Sequence, residues 1–472
     1  MDVVQIQAEP LEELAGLLDP VRAETFLSTA ALARKALAGR IIWNINSTAS
    51  GGGVAEMLQV LLAYARGADV DTRWLVLDGD PQFFEITKAL HNALHGSLIG
   101  RTGFGAEDQA HYARVMSANL AQLRDLVRPG DVVLLHDPQT AGLAAGLKQL
   151  GAHVVWRCHI GRDETTEITD LGWGFLREHV LGADAFVFSR SSYVPAWLPP
   201  ERVMIIQPSI DPFSTKNVDL PDHEVRRILL GVGLVHNGDP RGVVGFQRRA
   251  GSEGVLRRHA DLLTNGPPPI DAPLVLQVSR WDRLKDMPGV LSGFAAHVAP
   301  FVHDVHVVLA GPDVSRVMDD PEGAEVYAEC RAVWQALPPD VQSRCHLASI
   351  PMDDVDENAL IVNALQRHAA IVVQKSLAEG FGLTLTEAMW KSRPVIASAV
   401  GGLQDQLTDG DEGFLLKDAA DLETFGALVT RLLGDPEQRL AMGHRAQERV
   451  RRDFLGDRHL IQWVELLTKL GG

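Results

Sequence analysis

Short apolar runs of about strand length alternate with helical patterns along most of this chain, and that alternation restricts the possible folds most strongly. Runs of this kind, bounded by Gly, Asp or Pro, are typical of strands buried on both faces of a parallel sheet that helices cover. The first series comprises residues 41–47, 73–78, 132–137, 154–160, 185–189 and 203–207. The second comprises residues 274–279, 305–310, 345–350, 371–374, 394–397 and 413–416. Helical patterns also cover residues 10–40 and 436–470.

A segment rich in Gly, Pro, Arg and Asp, residues 208–270, separates the two series. The chain has 472 residues, which is enough for two hydrophobic cores. The sequence therefore predicts an α/β protein with two Rossmann-like, doubly wound domains. Ligands bind beyond the carboxyl ends of the strands in such sheets, so we expect both domains to face a central cleft. We place the domains at 1–215 and 216–450, and we expect a helix over 451–472 to return to the N-terminal domain.

Composition excludes several classes of function. The formal net charge of −17 disfavours nucleic acid as a partner, because a phosphate backbone requires a basic surface. No basic start with an apolar run marks a signal peptide, and no apolar stretch is long enough to span a membrane, so we expect a cytoplasmic protein without membrane attachment. Cys158, Cys330 and Cys345 are far apart and lack metal-ligand spacing, which favours buried, reduced thiols.

The segment from Ser376 to Trp390 is the most informative for chemistry, and it reads Ser-Leu-Ala-Glu-Gly-Phe-Gly-Leu-Thr-Leu-Thr-Glu-Ala-Met-Trp. Its glycines follow an apolar run and predict a tight turn into a helix that starts near Leu383. The free N–H groups and the positive dipole end of such a helix form an anion site. Glu379 precedes the helix, where it can accept hydrogen bonds from sugar hydroxyls, and Glu387 lies inside it, where a carboxylate suits a ribose diol.

Arg280 and Lys285 follow the first run of the second series. Arg offers a fork to two oxygens and Lys a point charge, and both suit a diphosphate at a strand end. On its own, such a pair is more often part of a solvated surface.

Two strand ends and one glycine turn in the first series are further candidates. Gly51, Gly52 and Gly53 would let the backbone approach a ligand closely, although the spacing lacks a dinucleotide fingerprint and fits a plain turn equally well. His159 ends one strand and His136 another. A lone His is usually structural, so the spacing alone leaves both interpretations open.

Glu379 and Glu387 are eight residues apart, and this spacing resembles the E-x7-E signature of retaining GT-B glycosyltransferases. The sequence resembles a narrower group, the trehalose glycosyltransferring synthases, whose relatives include retaining trehalose phosphorylases. That second resemblance also rests on residues 46–56, 83–96, 156–160 and 207–214. It extends from about residue 40 to the C-terminal Leu-Gly-Gly, and residues 225–270 depart from it in length and in Arg and Gly content.

The resemblance implies a GT-B fold with an acceptor side in 1–215 and a nucleotide-sugar donor side in 216–450. It implies catalytic roles for His159, Arg280, Lys285 and Glu379. It implies donor binding by Gly51, Gly52, Gly53, Gly382, Leu383, Thr384 and Glu387. For the acceptor it implies Arg157, Asp137, Lys88, His91 and Asn92. We predict no metal site and no required cofactor, and we leave stimulation by Mg²⁺ open.

The implied reaction is retaining, reversible transfer of glucose from a nucleoside-diphosphate glucose to free glucose, which gives α,α-trehalose. The alternatives are a trehalose phosphorylase, another retaining nucleotide-sugar glycosyltransferase and, in a different class, a non-catalytic nucleotide-sugar sensor. The expected ligands are nucleoside-diphosphate glucose, glucose and trehalose. The base, the physiological direction and a homodimeric state stay open.

Overall fold

The computed structural model describes residues 1–49, 53–98, 101–238, 244–248, 251–314 and 321–470. The chain forms two compact units. Unit 1 comprises Met1–Ser209 and Phe454–Gly472, and unit 2 comprises Ile210–Asp453. The path therefore leaves unit 1, builds unit 2 and comes back to unit 1.

The strands described in unit 1 form one seven-stranded sheet in the order β1-β3-β2-β4-β5-β6-β7. They are β1 (Asp2–Val4), β2 (Ile42–Asn46), β3 (Thr72–Val76), β4 (Val132–His136), β5 (His153–Cys158), β6 (Ala185–Phe188) and β7 (Val203–Ile205). Strand β1 pairs antiparallel with β3, and the other pairs are parallel. Their carboxyl ends therefore meet at one edge of the sheet.

Helices cover both faces of this sheet. They are α1 (Leu11–Ala15), α2 (Pro20–Ala36), α3 (Gly53–Gly67), α4 (Pro81–Leu94), α5 (Ala106–Leu123), α6 (Asp137–Thr140), α7 (Ala144–Gln149), α8 (Glu167–Val180) and, in chain order, α18 (Gly456–Leu470). The sequence sets their starts locally. The carboxylate of Asp19 accepts hydrogen bonds from the N–H groups of Val21 and Arg22 at α2, and Asp80 caps α4 in the same way.

Helix α18 completes one apolar layer of unit 1. Its Trp463, Leu466 and Leu467 are buried in the cluster that covers one face of the sheet. The Asp457 carboxylate, 1% exposed, accepts two hydrogen bonds from Arg22 of α2, at 2.5 and 2.7 Å. A bidentate pair requires both side chains to adopt one relative orientation, so it fixes the position of α18 on α2.

Unit 2 has a second seven-stranded sheet among its described residues, in the order β10-β13-β12-β11-β14-β15-β16. Its strands are β10 (Asp261–Leu263), β11 (Leu274–Val278), β12 (His306–Pro312), β13 (Cys345–Ile350), β14 (Ile371–Gln374), β15 (Val395–Ser398) and β16 (Gly413–Leu416). Edge strand β10 is antiparallel to β13, and the remaining pairs are parallel.

The helices of unit 2 surround that sheet. They are α9 (Asp222–Gly231), α10 (Met287–His297), α11 (Pro321–Gln335), α12 (Pro339–Gln342), α13 (Val355–His368), α14 (Leu383–Trp390), α15 (Leu403–Gln406), α16 (Leu422–Gly434) and α17 (Pro436–Asp453). No helix in the described ranges is both long and apolar enough to cross a bilayer.

The segment that departs from the resemblance contains α9 and a small hairpin of β8 (Gly245–Gln247) and β9 (Glu253–Val255). Ion pairs hold this hairpin to α13: the Arg248 guanidinium contacts Asp354 at 2.5 Å and Asp356 at 3.1 Å. The pair with Arg248 holds the pKa of the Asp354 carboxyl at about 2, below its ordinary value. This segment is therefore folded onto unit 2 wherever the structure describes it.

The predicted fold class is confirmed, because two doubly wound, mainly parallel sheets are present. All twelve predicted runs form strands, with end points that shift by at most a few residues. The short strands β1, β8, β9 and β10 were not predicted, since three residues are too few to show a clear pattern.

Candidate active site

A left-handed glycine forms the turn between β14 and α14 in unit 2. Gly382 has φ of +85° and is the N-cap residue of α14. A Cβ atom at this position would lie 2.4 Å from Cδ2 of Leu403, so both the backbone conformation and the available space require glycine. Leu383 and Thr384, the first two residues of the helix, are half-buried beside it.

The turn is held from behind by Gln406, which the sequence analysis did not single out. Its fully buried amide donates hydrogen bonds to the carbonyl oxygens of Phe381, at 2.5 Å, and Gly382, at 3.3 Å. Its own carbonyl accepts a hydrogen bond of 2.7 Å from the Thr386 hydroxyl. Gln406 lies 24 residues beyond Gly382 in sequence, and no local pattern connects them.

An ion pair joins the two predicted donor motifs. Nζ of Lys285 lies 2.6 Å from Oε2 of Glu379, and the side chains are 15% and 12% exposed. The Ser376 hydroxyl donates to the same carboxylate oxygen at 3.3 Å. The sequence put these residues 94 positions apart, and the fold brings them together at the carboxyl edge of the unit 2 sheet.

The loop that carries Lys285 is fixed by buried polar groups. Gln277, at the end of β11, donates from Nε2 to the carbonyl of Lys285 at 2.7 Å and accepts from the N–H of Lys375 at 3.1 Å. The ammonium of Lys375 bonds the carboxylate of Asp286, which has φ of +47° and caps α10. These contacts hold Lys285 in place without using its ammonium group.

The other two cations of this loop lie differently. The Arg280 side chain is 58% exposed and contacts Asp282 at 3.3 Å. Arg283 is 45% exposed and pairs with Glu325 and Glu329 of α11. Among these three, Lys285 is therefore the cation that reaches the glutamate motif.

Glu387 is 6% exposed on the inner face of α14. Its Oε1 atom lies 3.6 Å from Nζ of Lys216. The neighbouring Lys391 is 2% exposed, and its ammonium donates to Asn217 Oδ1, Gln366 Oε1 and the Glu387 carbonyl at 2.9, 2.8 and 3.1 Å. Burial lowers the pKa of Lys391 to about 7, and the negative charge of Glu387 opposes that shift.

In unit 1, the carboxyl ends of β2, β4 and β5 bring a polar chain together. Nδ1 of His136 lies 3.1 Å from Nε2 of His159, and Nε2 of His136 lies 3.2 Å from Oδ1 of Asn44. Asp137 has φ of +63°, which is strained for an aspartate, and its carboxylate accepts a hydrogen bond from the His159 N–H at 2.7 Å.

Burial dominates the protonation of this group. It raises the pKa of Asp137 to about 7, against the opposing hydrogen bond from His159 and the charge of Arg157. It lowers the pKa of His136 to about 3 and that of His159 well below the ordinary range, and the charge of Arg157 adds to both. Strain and a perturbed pKa at one residue are typical of functional sites.

Arg157, which is predicted to contact the acceptor, is fully buried. Its guanidinium lies 3.1 Å from Nε2 of His459 and 5.3 Å from the ring of Trp463, both on α18. It therefore faces the interior of unit 1 and acts on Asp137, His136 and His159 through its charge.

The remaining acceptor candidates lie on α4. Lys88 is exposed, and His91 and Asn92 are half-buried. The end of this helix is tied to the loop after β5, because Arg162 donates to the carbonyl of His95 at 3.2 Å. The sequence alone does not predict this contact of Arg162.

Gly51 and Gly52 lie outside the described residues, and Gly53 begins α3. Within the parts of the chain that the structure describes, no group of three or more His, Cys, Asp or Glu residues is arranged to hold a metal ion.

Comparison with known proteins assigns the chain to a family. Residues 44–195 match the family model described as trehalose synthase, N-terminal domain, and residues 265–449 match glycosyl transferases group 1. A trehalose synthase of Pyrococcus horikoshii is 35% identical over 438 residues, which is 92% of this chain and 91% of the relative. The chain belongs to the trehalose synthase family. As a member of this family it is a hexosyltransferase of trehalose metabolism, and the predicted resemblance is confirmed.

Two further comparisons place the trehalose synthase family among related proteins. A trehalose phosphorylase of Pleurotus sajor-caju is 26% identical over 396 residues, which is 78% of this chain and 50% of that protein. An Escherichia coli structure, described as trehalose-6-phosphate bound with UDP-2-fluoro glucose, matches with a TM-score of 0.68 at 14% identity, over 91% of this chain and 99% of that one. At this identity the structural match shows the fold alone, which is GT-B.

Proposed function

We propose that this protein transfers glucose, with retention and reversibly, from a nucleoside-diphosphate glucose to the anomeric hydroxyl of glucose. The products are α,α-trehalose and the nucleoside diphosphate. The observation that supports this most directly is the Lys285–Glu379 pair, at 2.6 Å, beside the start of α14 and eight residues before the buried Glu387. The cation and the helix N-terminus suit a diphosphate, and the two carboxylates suit the hydroxyls of a hexose and a ribose.

In this proposal unit 2 binds the donor. Lys285 and Arg280 neutralise the diphosphate, and the first N–H groups of α14, at Leu383 and Thr384, donate hydrogen bonds to its oxygens at the positive end of the helix. Glu379 holds hydroxyls of the transferred sugar, and Glu387 holds the ribose diol. The related E. coli structure with UDP-2-fluoro glucose supports a nucleotide-sugar donor.

Unit 1 binds the acceptor. Polar atoms of Asp137, His136 and His159 lie at strand ends. Burial removes water from these side chains and shifts the pKa of each of them. In a site of low polarity, hydrogen bonds to sugar hydroxyls are stronger than in water. Lys88, His91 and Asn92 on α4 are the further acceptor contacts that we propose, and Gly53 belongs to the donor-phosphate loop.

The chemical step breaks the bond between the anomeric carbon and the diphosphate oxygen. The acceptor oxygen forms the new bond on the same face of the sugar, and its proton passes to an oxygen of the departing diphosphate. The proposal therefore needs no nucleophilic carboxylate of the kind that retaining glycosidases use. Lys285 stabilises the charge that develops on the leaving group, and preorganised charges of this sort are a large source of rate.

A trehalose phosphorylase is the second candidate, since a phosphorylase of Pleurotus sajor-caju aligns with 78% of this chain. In that reaction inorganic phosphate takes the place of the nucleoside diphosphate. Both reactions use the same fold and glutamate motif, and they differ in whether the protein recognises a base and a ribose.

Both directions can be measured with one enzyme preparation. Glucose is incubated with a panel of uridine, adenosine and guanosine diphosphate glucoses, and trehalose and released nucleoside diphosphate are quantified, with Mg²⁺ and with a chelator. Trehalose is then incubated separately with each nucleoside diphosphate and with phosphate. Formation of nucleotide sugar supports the proposal. Glucose 1-phosphate as the product would establish the phosphorylase, and tight nucleotide-sugar binding without turnover would establish a sensor.

A further inference from the structure

A cavity of about 360 Å³ lies in unit 2, at the edge of the sheet opposite to the donor motifs. Pro273, Ala370 and Pro394 line it, and each directly precedes a strand, namely β11, β14 or β15. Lys285 and Gly382 follow the carboxyl ends of β11 and β14 instead. The volume falls in the range of about 300–1,000 Å³ that small-molecule sites occupy.

The lining of this cavity is strongly basic. Three arginines line it: Arg226 on α9, Arg393 in the loop before β15, and Arg439 on α17. Among the lining residues within the described ranges, Asp271 carries the one carboxylate, which contacts Arg226 at 2.8 Å. The protein as a whole has a formal net charge of −17. The lining of this cavity is positively charged instead, because it has three guanidinium groups and one carboxylate.

Two of these arginines are held by neutral groups. Arg393 donates to the carbonyls of Lys391 and Ala369, at 3.0 and 3.2 Å, and Arg439 donates to the carbonyl of Leu432 at 3.2 Å. Carbonyls fix the orientation of a guanidinium without cancelling its charge. Burial lowers the pKa of Arg393, and the charges of Arg367 and Arg439 lower it further while Asp222 opposes them. An anion in the cavity would relieve this repulsion.

His368 adds an unsatisfied polar atom to the same lining. Its Nε2 is buried, and the described protein offers it no hydrogen-bond partner. A buried polar atom without a hydrogen bond destabilises the folded state. In the tautomer with its proton on Nε2, the ring would donate a hydrogen bond to an anionic oxygen in the cavity and so satisfy this atom.

We propose that this cavity binds a small organic phosphate ester. Arginine forks match the geometry of phosphate oxygens, and the three arginines approach from different elements. The organic part would lie on the apolar portion of the lining, which includes Ile270, Ala369, Pro394 and Leu440. The site is distinct from the proposed donor site, because none of its lining residues belongs to the Lys285 loop or to the segment 376–387.

Isothermal titration calorimetry with glucose 6-phosphate, inorganic phosphate and glucose tests the proposal. We expect saturable binding of the ester, weaker binding of phosphate and none of glucose. Arg439→Gln should weaken ester binding about tenfold, because it removes a charged hydrogen bond. Arg445→Gln is the matched control, since Arg445 is on the same helix, pairs with Asp411 and does not line the cavity. It should bind as the wild type does.

Asp271→Asn provides a test with the opposite sign. The change removes the carboxylate that competes for Arg226, so it should tighten ester binding, an effect that misfolding cannot produce. Absence of saturable binding, equal affinity for phosphate and ester, or unchanged affinity in Arg439→Gln would each overturn the proposal. The last result would place the ester elsewhere, for example at Lys285, and would leave the proposed transferase function unaffected.

Discussion

Replacing Lys285 by alanine is the most direct test of the donor site. The substitution removes the ammonium 2.6 Å from Glu379, and both side chains are less than one-sixth exposed, at 15% and 12%. Truncating one partner of a hydrogen-bonded charge pair of this kind typically costs about 2–5 kcal/mol. The loss of one preorganised charge at a transition state costs about 10²–10³ in turnover. We therefore expect kcat/KM to fall by at least about 10².

The assay is release of nucleoside diphosphate from the best donor of the panel, in the presence of glucose. Arg283→Ala is the control, because Arg283 lies two residues away, is 45% exposed and pairs with α11 rather than with Glu379. It should change kcat/KM less than about threefold, in line with the small worth of exposed ion pairs. Thermal unfolding of both variants separates catalytic loss from loss of fold. Near-normal turnover of Lys285→Ala would refute the assigned role of the lysine.

Three further changes give sharp expectations. Glu379→Gln should lower turnover, while binding of nucleoside diphosphate, measured by calorimetry, stays nearly intact. An equal loss of both would contradict the proposed contact between Glu379 and the sugar. Gly382→Ala should cost about 1–3 kcal/mol more stability in urea than Gly410→Ala, because both have φ above +80° but only Gly382 would clash with Leu403; equal losses would show that space is not limiting. Burial lowers the pKa of His346 to about 3. As the pH falls below about 6.5, this histidine is protonated in the unfolded chain but not in the folded one, so the free energy of unfolding should fall. The contribution of His346 near pH 5 is about 1 kcal/mol per pH unit. His346→Gln should flatten that slope, and an unchanged slope would assign the dependence to other groups.

The fold was largely predictable because buried parallel strands leave a direct trace in sequence. Strands such as Val132–His136 and Ile371–Gln374 are buried at every position, so their sequences are apolar up to the last residue rather than alternating. The edge strand Asp261–Leu263 has only three residues, none of them buried, and its pairing with β13 depends on the rest of the sheet. Local sequence does not contain that information.

The candidate site was predictable where chemistry lies in one segment or at a strand end. Glu379, Gly382 and Glu387 share one short motif, and Lys285 follows a strand. Gln406 was not predictable in this way, because its amide reaches Gly382 across 24 residues through the packing of α15 on α14. For the same reason, local sequence does not reveal that the Arg157 guanidinium contacts His459, on a helix that begins about 300 residues later.

The return of α18 to unit 1 has a consequence for synthesis in the cell. The ribosome makes the first sheet before unit 2, but Trp463, Leu466 and Leu467, which cover one face of that sheet, are made about 250 residues after β7. At a synthesis rate of about 5–20 residues per second, this apolar face of the sheet stays exposed for roughly 10–50 s before α18 is made. Unit 2 is continuous in sequence and can complete its core during that interval. The first half of the nascent chain is therefore the half whose apolar surface stays exposed longest.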